Sequence, residues 1–328
     1  MGGNNDTVKL RVPPVAATGL GLLGLLLLAA PALGASKTAR PRGVNARTGR
    51  ATPPFAQLVK AHKKSDRAAL ERLAARFGVA RLAEGARGTD RAVAEASLAA
   101  IPLARGGVVL AGVVADRLDP REPAVAEEAA RALGALLDGD APGEMADWEV
   151  PVDVVARACS GLRALASNRE AAEPARLAAL DALAAAQVTC PVLGELGVLV
   201  HDPAPAVRRS AALLLPAGDA HAQAALREGL ADPDPSVSAA CVASVCRGAE
   251  PRTKRAPAAE ALVEQATGAA RALVAAPSTR AEDAVEMLSC VAAAGTPADR
   301  ALLEKLRAGA ASPVRDRAAL LLAGGKPE

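Results

Sequence analysis

Three histidines, five cysteines, one tryptophan and a scatter of carboxylates are the residues of this 328-residue chain best suited to chemistry. Cys159, Cys190, Cys241, Cys246 and Cys290 form no C-x-x-C, and no histidine stands at zinc-ligand spacing from them. Cys241 and Cys246 are five residues apart, which on a helix sets them about 140° apart, on different faces. Two readings of the five stay open. They pack as small apolar thiols, or some of them form disulfides, which an oxidising compartment permits. The odd count leaves at least one thiol unpaired. His62 lies in the basic run Lys60–Lys64 and reads as part of a solvated helix end. His201 precedes Asp202 in a turn, and His221 follows Asp219 and Ala220 at a helix start. No G-x-S-x-G, H-E-x-x-H, phosphate-cradling glycine loop or dinucleotide fingerprint occurs. No catalytic residue, cofactor or metal site is therefore expected. The stretch Asp138–Asp153 (DGDAPGEMADWEVPVD) holds six acids, no base and the single tryptophan. Part of it looks like a calcium loop, but Pro142 and a missing third ligand spoil the pattern. Two readings of Trp148 stay open: it begins the next helix and packs into its own repeat, or a long loop offers it to a partner, since tryptophan is enriched at binding hot spots.

The elements that must position these residues are helices. Ala, Leu, Arg, Glu and Asp dominate, isoleucine occurs once, and aromatic residues number three: Phe55, Phe77 and Trp148. So few aromatic rings argue against base stacking. From Pro53 onward, apolar residues recur at helical spacing in short blocks broken by Gly, Pro and Asp. The blocks fall into pairs: Pro53–Lys64 with Ser65–Phe77, Val79–Arg87 with Asp90–Ile101, Arg105–Leu118 with Glu122–Leu137, and Pro151–Ala166 with Ala171–Ala185. Further on come Pro191–Val200 with Pro203–Leu215, Ala220–Leu230 with Pro235–Cys246, Ala258–Ala275 with Arg280–Ala293, and Pro297–Ala308 with Pro313–Ala323. No segment alternates at period two, so no sheet is expected.

The pairs repeat. DPREPAVAEEAARALGA, DPAPAVRRSAALLL, DPDPSVSAACVASVC and SPVRDRAALLLA align with Val125, Val207, Val237 and Val314 in one column. Val93 holds the slot one unit upstream, and Ala175 and Arg280 hold it in weaker units. A two-helix unit recurring every 30–50 residues defines a solenoid. Proline near the first helical turn loses no donor, and aspartate beside it can accept backbone N–H groups. The valine column faces the seam between units, and an arginine after it can reach the aspartate of a neighbour. A chain of such pairs would form a ladder along the array.

These residues resemble the HEAT-repeat family, specifically its short bacterial repeats. Asp202, Pro203, Val207 and Arg208 match the family pattern in full. Asp232, Pro233 and Val237 match with Ser238 in place of the arginine, and Pro313, Val314 and Arg315 match without the aspartate. Asp119, Pro120 and Val125 run one residue out of phase. The resemblance implies an all-α, right-handed, armadillo-type α-solenoid of about seven to eight antiparallel helix pairs over residues 55–325.

The N-terminus differs. Val15–Ala35 is uncharged for 21 residues, follows Lys9 and Arg11, and ends in small residues. It reads as a signal peptide or N-terminal membrane anchor, residues 1–35, followed by a flexible basic linker, 36–54. Residues 1–50 carry seven bases and one acid, a net +6, which leaves −3 for the rest of a chain of net charge +3. A slightly acidic body does not suit an extended nucleic-acid footprint. The expectation is a non-enzymatic protein–protein interaction scaffold that binds a protein partner. It is exported to the periplasm or exterior, or anchored by residues 15–35 in the inner membrane with its body outside the cytoplasm. The alternative is an enzyme-associated solenoid, a phycobilisome-type lyase subunit or a DNA-repair-like array, since relatives of the resembled family include both.

Overall fold

Proline sets the start of most helices. Pro123, Pro174, Pro205, Pro297 and Pro313 sit in the first turn of their helices, where the missing N–H has no intrahelical partner to lose. The computed structural model describes residues 53–138, 150–192, 194–247, 257–276, 279–309 and 312–324. Among these the helices are α1 Pro53–Lys63, α2 Arg67–Arg87, α3 Arg91–Ala100, α4 Ala111–Ala115, α5 Pro123–Leu137, α6 Val152–Ser167 and α7 Glu173–Ala185. They continue as α8 Pro205–Leu214, α9 Ala220–Gly229, α10 Pro235–Arg247, α11 Pro257–Ala275, α12 Ala281–Ala294, α13 Pro297–Arg307 and α14 Pro313–Leu322. Short 3₁₀ segments occupy Ile101–Leu103, Gly107–Leu110 and Gly194–His201. No strand occurs among the described residues.

The helices stack in two rows. The second row, made of the second helix of each unit, runs α1, α3, α5, α7, α8, α10, α12, α14, each packed on the next. The other runs α2, α4, α6, the 194–201 segment, α9 and α11. Helix α13 joins the end of the array through α14 and α12. The repeating unit is one helix from each row, and α2/α3 through α13/α14 make seven such units among the described residues. This is an α-solenoid: each unit buries its apolar stripe against its neighbours.

Three expected elements differ. The first two pairs meet at Gly78 without a connecting turn: the two helical segments expected on either side of it, Ser65–Phe77 and Val79–Arg87, join across a kink. Gly78 holds φ +68°, ψ 167°, a backbone open to glycine, and kinks one helix, α2. The reversals come at Ser65, itself at φ 52°, and at Gly88. Helix α1 therefore joins the second row without a first-row partner. The block Arg105–Leu118 is a 3₁₀ turn followed by a five-residue helix, and Pro191–Val200 becomes the 3₁₀ segment.

Small residues set the spacing. A Cβ on Gly107 would lie 2.0 Å from the carbonyl oxygen of Ile101. Gly107→Ala must therefore move the 101–107 turn. It should cost about 1–3 kcal/mol in urea unfolding, as overpacking does. An unchanged midpoint would contradict this backbone approach.

The core divides. A large apolar cluster runs from Phe55 to Ala266, and a smaller one holds Ala239, Val242, Met287, Leu288, Val291 and others up to Ala318. Helix α10 is the wall between them. Cys241 and Val245 face the first, Ala239 and Val242 the second, and every residue from Val237 to Val245 is buried. Its buried hydroxyls are satisfied: Ser238 Oγ donates to Leu230 O at 2.8 Å and Ser244 Oγ to Leu215 O at 2.6 Å.

Candidate interaction surface

The motif residues form a chain of ion pairs along the turns that lead into the second-row helices. Arg208 on α8 reaches 24 residues forward to Asp232, with Nε donating at 2.7 Å and Nη2 at 3.0 Å. Its Nη1 donates to the carbonyl of Asp202 at 2.9 Å. The hydrogen bonds that Arg208 donates to Asp232, opposed by burial, raise the pKa of Arg208. One unit earlier, Arg176 on α7 pairs with both oxygens of Asp202 and donates Nε to Ala166 O at 3.0 Å. Only 4% of the Arg176 side chain and 0% of the Asp202 side chain are exposed. Burial would raise the Asp202 pKa. The bonds from Arg176 and the Ala204 N–H outweigh it and hold the carboxyl below its ordinary value. Sequence reasoning missed Arg176, although it follows Ala175 as Arg208 follows Val207.

Asp202 and Asp232 do not cap their helices directly. Their side chains accept from Ala204 N at 3.0 Å and Asp234 N at 2.8 Å, two residues on, because each is held toward its arginine. Helix α10 takes its first-turn bonds from Asp234, which accepts from Ser236 N at 2.9 Å. Val125, Val207 and Val237 are fully buried, beside Pro203 and Pro233 in exposed turn positions. Val314 is only partly buried, and Arg315 pairs with Asp316 on its own helix instead of continuing the ladder. A separate pair, Arg271 to Asp299 at 2.5 and 3.1 Å, ties α11 to the start of α13.

The cysteines resolve into two disulfides, Cys159–Cys190 and Cys246–Cys290, and one free thiol. The first ties α6 to the chain after α7. The second ties α10 to α12. Cys241 is buried, and burial pushes its thiol up to about 12, so it stays neutral and inert. Trp148, residues 1–35 and residues 36–52 of the expected linker lie outside the described residues.

The second row leaves one face open to solvent. On α5 it carries Glu128, Arg131 and Ala135, and on α7 Leu177, Asp181 and Ala184. Near α5 the face deepens into a groove of about 880 Å³, walled by α5, the 102–108 turn and the α1–α2 turn. It gathers His62, Arg67, Arg105 and Arg131 with Glu71 and Glu128. Arg131 is held by Glu127 and Glu128 on its own helix. Burial raises the Glu128 pKa against the opposing charges of His62 and Arg131. A second groove of about 750 Å³ runs along α12 over the Cys246–Cys290 bond, between Glu286 and Arg317. Among the described residues no cluster of His, Cys, Asp and Glu could hold a metal ion. His201 instead meets Glu228 at 3.0 Å on the exposed surface.

Two stacked rows of short helices make the described residues an all-α repeat solenoid. No family model and no curated protein matches the chain. Solved structures similar to it include an engineered protein, at 18% identity and a TM-score of 0.46, over 82% of this chain and 78% of that one. A designed armadillo repeat protein is similar at 18% identity and a TM-score of 0.41, over 67% of this chain and all of that one. The complex of CpcE and CpcF of phycocyanin lyase from Nostoc is similar at 15% identity and a TM-score of 0.36, over 87% and 99%.

Proposed function

We propose that this protein is a non-enzymatic interaction scaffold that seats a protein partner on the open face of its second helix row, centred on the groove beside α5. One observation carries the reading. Arg67 and Arg105 face that groove without ion-pair partners among the described residues, beside exposed Ala135 and the buried Ala132 and Leu136. A rigid surface with unsatisfied charge beside apolar ground binds without paying for its own ordering. The two disulfides support a body that resides in an oxidising compartment, as does the uncharged block Val15–Ala35. Among the described residues no helix is long and apolar enough to cross a membrane, so anchoring would rest on residues 15–35.

A photo-crosslinking residue at Ala135, in the groove, tests the reading against one at exposed Val198 in the other row. In living cells, Ala135 should give a discrete crosslinked species that Val198 does not. Equal yields, or none from Ala135, would overturn it. An enzyme-associated reading rests on His62 and Glu128 sharing the groove. Glu128→Gln should leave the crosslink intact if the groove only binds.

A further inference from the structure

We infer that the hollow between α1 and α2, on the side of that hairpin away from the groove, docks the array on an anionic lipid bilayer. The hollow holds about 450 Å³ and is walled by Lys60 and Lys64 from α1 and Arg72 and Arg76 from α2, over a floor of Ala61, Ala69 and Leu73. All four cations are exposed, and none has an ion-pair partner among the described residues. The one acid in the wall, Asp66, accepts the backbone N–H of Ala69 at 2.9 Å as the N-cap of α2, so it is turned to its own helix. Four converging, unneutralised cations around a partly apolar floor match phosphate-bearing headgroups lying over acyl chain.

The charge is not spread evenly over the body. Residues 53–110 carry ten lysines and arginines against five carboxylates, a net +5, and residues 111–328 carry −8. The basic pole is the end at which residues 1–52 enter the array. Only 17 residues separate Ala35 from Pro53, a reach of at most about 60 Å when fully extended. The linker bases Lys37, Arg40, Arg42, Arg47 and Arg50 add to the same sign. A bilayer is thus the anionic surface nearest to the hollow if residues 15–35 insert. The inference rests on the anchored reading only for that proximity; the charge geometry of the hollow stands by itself.

The test uses the full chain with vesicles of phosphatidylcholine, alone or mixed with an equal amount of phosphatidylglycerol. A water-soluble acylating reagent reports lysine access by mass spectrometry, with Lys305 on α13 as internal reference. On anionic vesicles Lys60 and Lys64 should react at least about threefold more slowly than on neutral ones, because each cation near the surface contributes about fivefold to partition. About 0.5 M salt should erase the difference by screening. Arg72→Glu with Arg76→Glu should also erase it, and Arg72→Lys with Arg76→Lys should keep it, both with unchanged circular dichroism. Equal reactivity on the two vesicle types would overturn the inference. So would stronger protection of Lys60 by an oligonucleotide or by polyglutamate than by anionic vesicles, which would make the occupant another polyanion. Failure of the anchored reading looks different: the chain would leave the membrane fraction of cells while Lys60 stays protected on added anionic vesicles.

Discussion

Replacing Arg176 with alanine should destabilise the array by about 3–5 kcal/mol, because it strands the Asp202 carboxylate where none of that side chain is exposed. The penalty comes from the uncompensated charge, so it should shrink when both partners change. Arg176→Met combined with Asp202→Asn keeps an acceptor for the Ala204 N–H and removes both charges. This double variant should recover more than half of the loss. The pH dependence has a defined sign. The native Asp202 pKa is depressed, so its stabilising contribution is complete above the unfolded carboxylate value of about 3.9 and is lost as pH falls through the native value. In Arg176→Ala, burial is opposed only by the backbone bond and the charge of Arg169, and protonation relieves the buried charge. The gap between wild type and Arg176→Ala should therefore close as pH drops into the carboxylate range. Denaturant melts at neutral pH and near pH 3.5 measure both effects. A gap that widens on acidification would contradict the buried pair.

Removing the disulfides should have effects of similar size, placed in different parts of the molecule. The Cys159–Cys190 bond closes a separation of 31 residues and Cys246–Cys290 one of 44. Chain entropy then puts their contributions at about 3.7 and about 4 kcal/mol. Cys159→Ser with Cys190→Ser should speed hydrogen exchange in α6 and α7. Cys246→Ser with Cys290→Ser should speed it in α11 through α14, the part that rests on the smaller core. A thiol titration supplies the direct check: one reactive thiol in the denatured, unreduced protein, from Cys241, and five after reduction. Five thiols without reductant would remove both bonds, and with them one support for an oxidising compartment.

Repetition made much of the fold readable. Wherever proline, valine and arginine stand at one spacing, as at Pro203, Val207 and Arg208, local propensity and tertiary role agree, and the helix start, the buried valine and the long-range aspartate follow together. The reading weakens where a unit departs from that spacing. Arg176 was hidden because alanine precedes it where other units have valine, yet its pair is the more buried of the two. The Cys246–Cys290 pairing depends on how far α12 slides along α10, which no local pattern encodes. The kink at Gly78 is the same kind of case: one non-helical glycine joins two helical segments without a connecting turn, and no local pattern tells that joint from a loop. Of the open face, Glu128 and Arg131 look in sequence like an ordinary solvated helix pair. Their place in a groove depends on the 102–108 turn and on the distant α1–α2 reversal.

Helix α10 also bears on how the array would yield under load. Its flanking helices α8 and α12 meet past it, with Arg209 Nη2 at 3.6 Å from Asp283, and the Cys246–Cys290 bond crosses the same boundary. A solenoid pulled from its ends would ordinarily peel unit by unit from whichever terminus is weaker. Here peeling from the C-terminus meets a helix whose middle, Val237–Val245, has no solvent side to fray from; one covalent bond fastens it to α12, and one ion pair ties α12 past it to α8. The array should therefore unravel in two stages with a pause at α10, the first stage releasing α13 and α14, and the reductant should decide whether α11 and α12 leave with them.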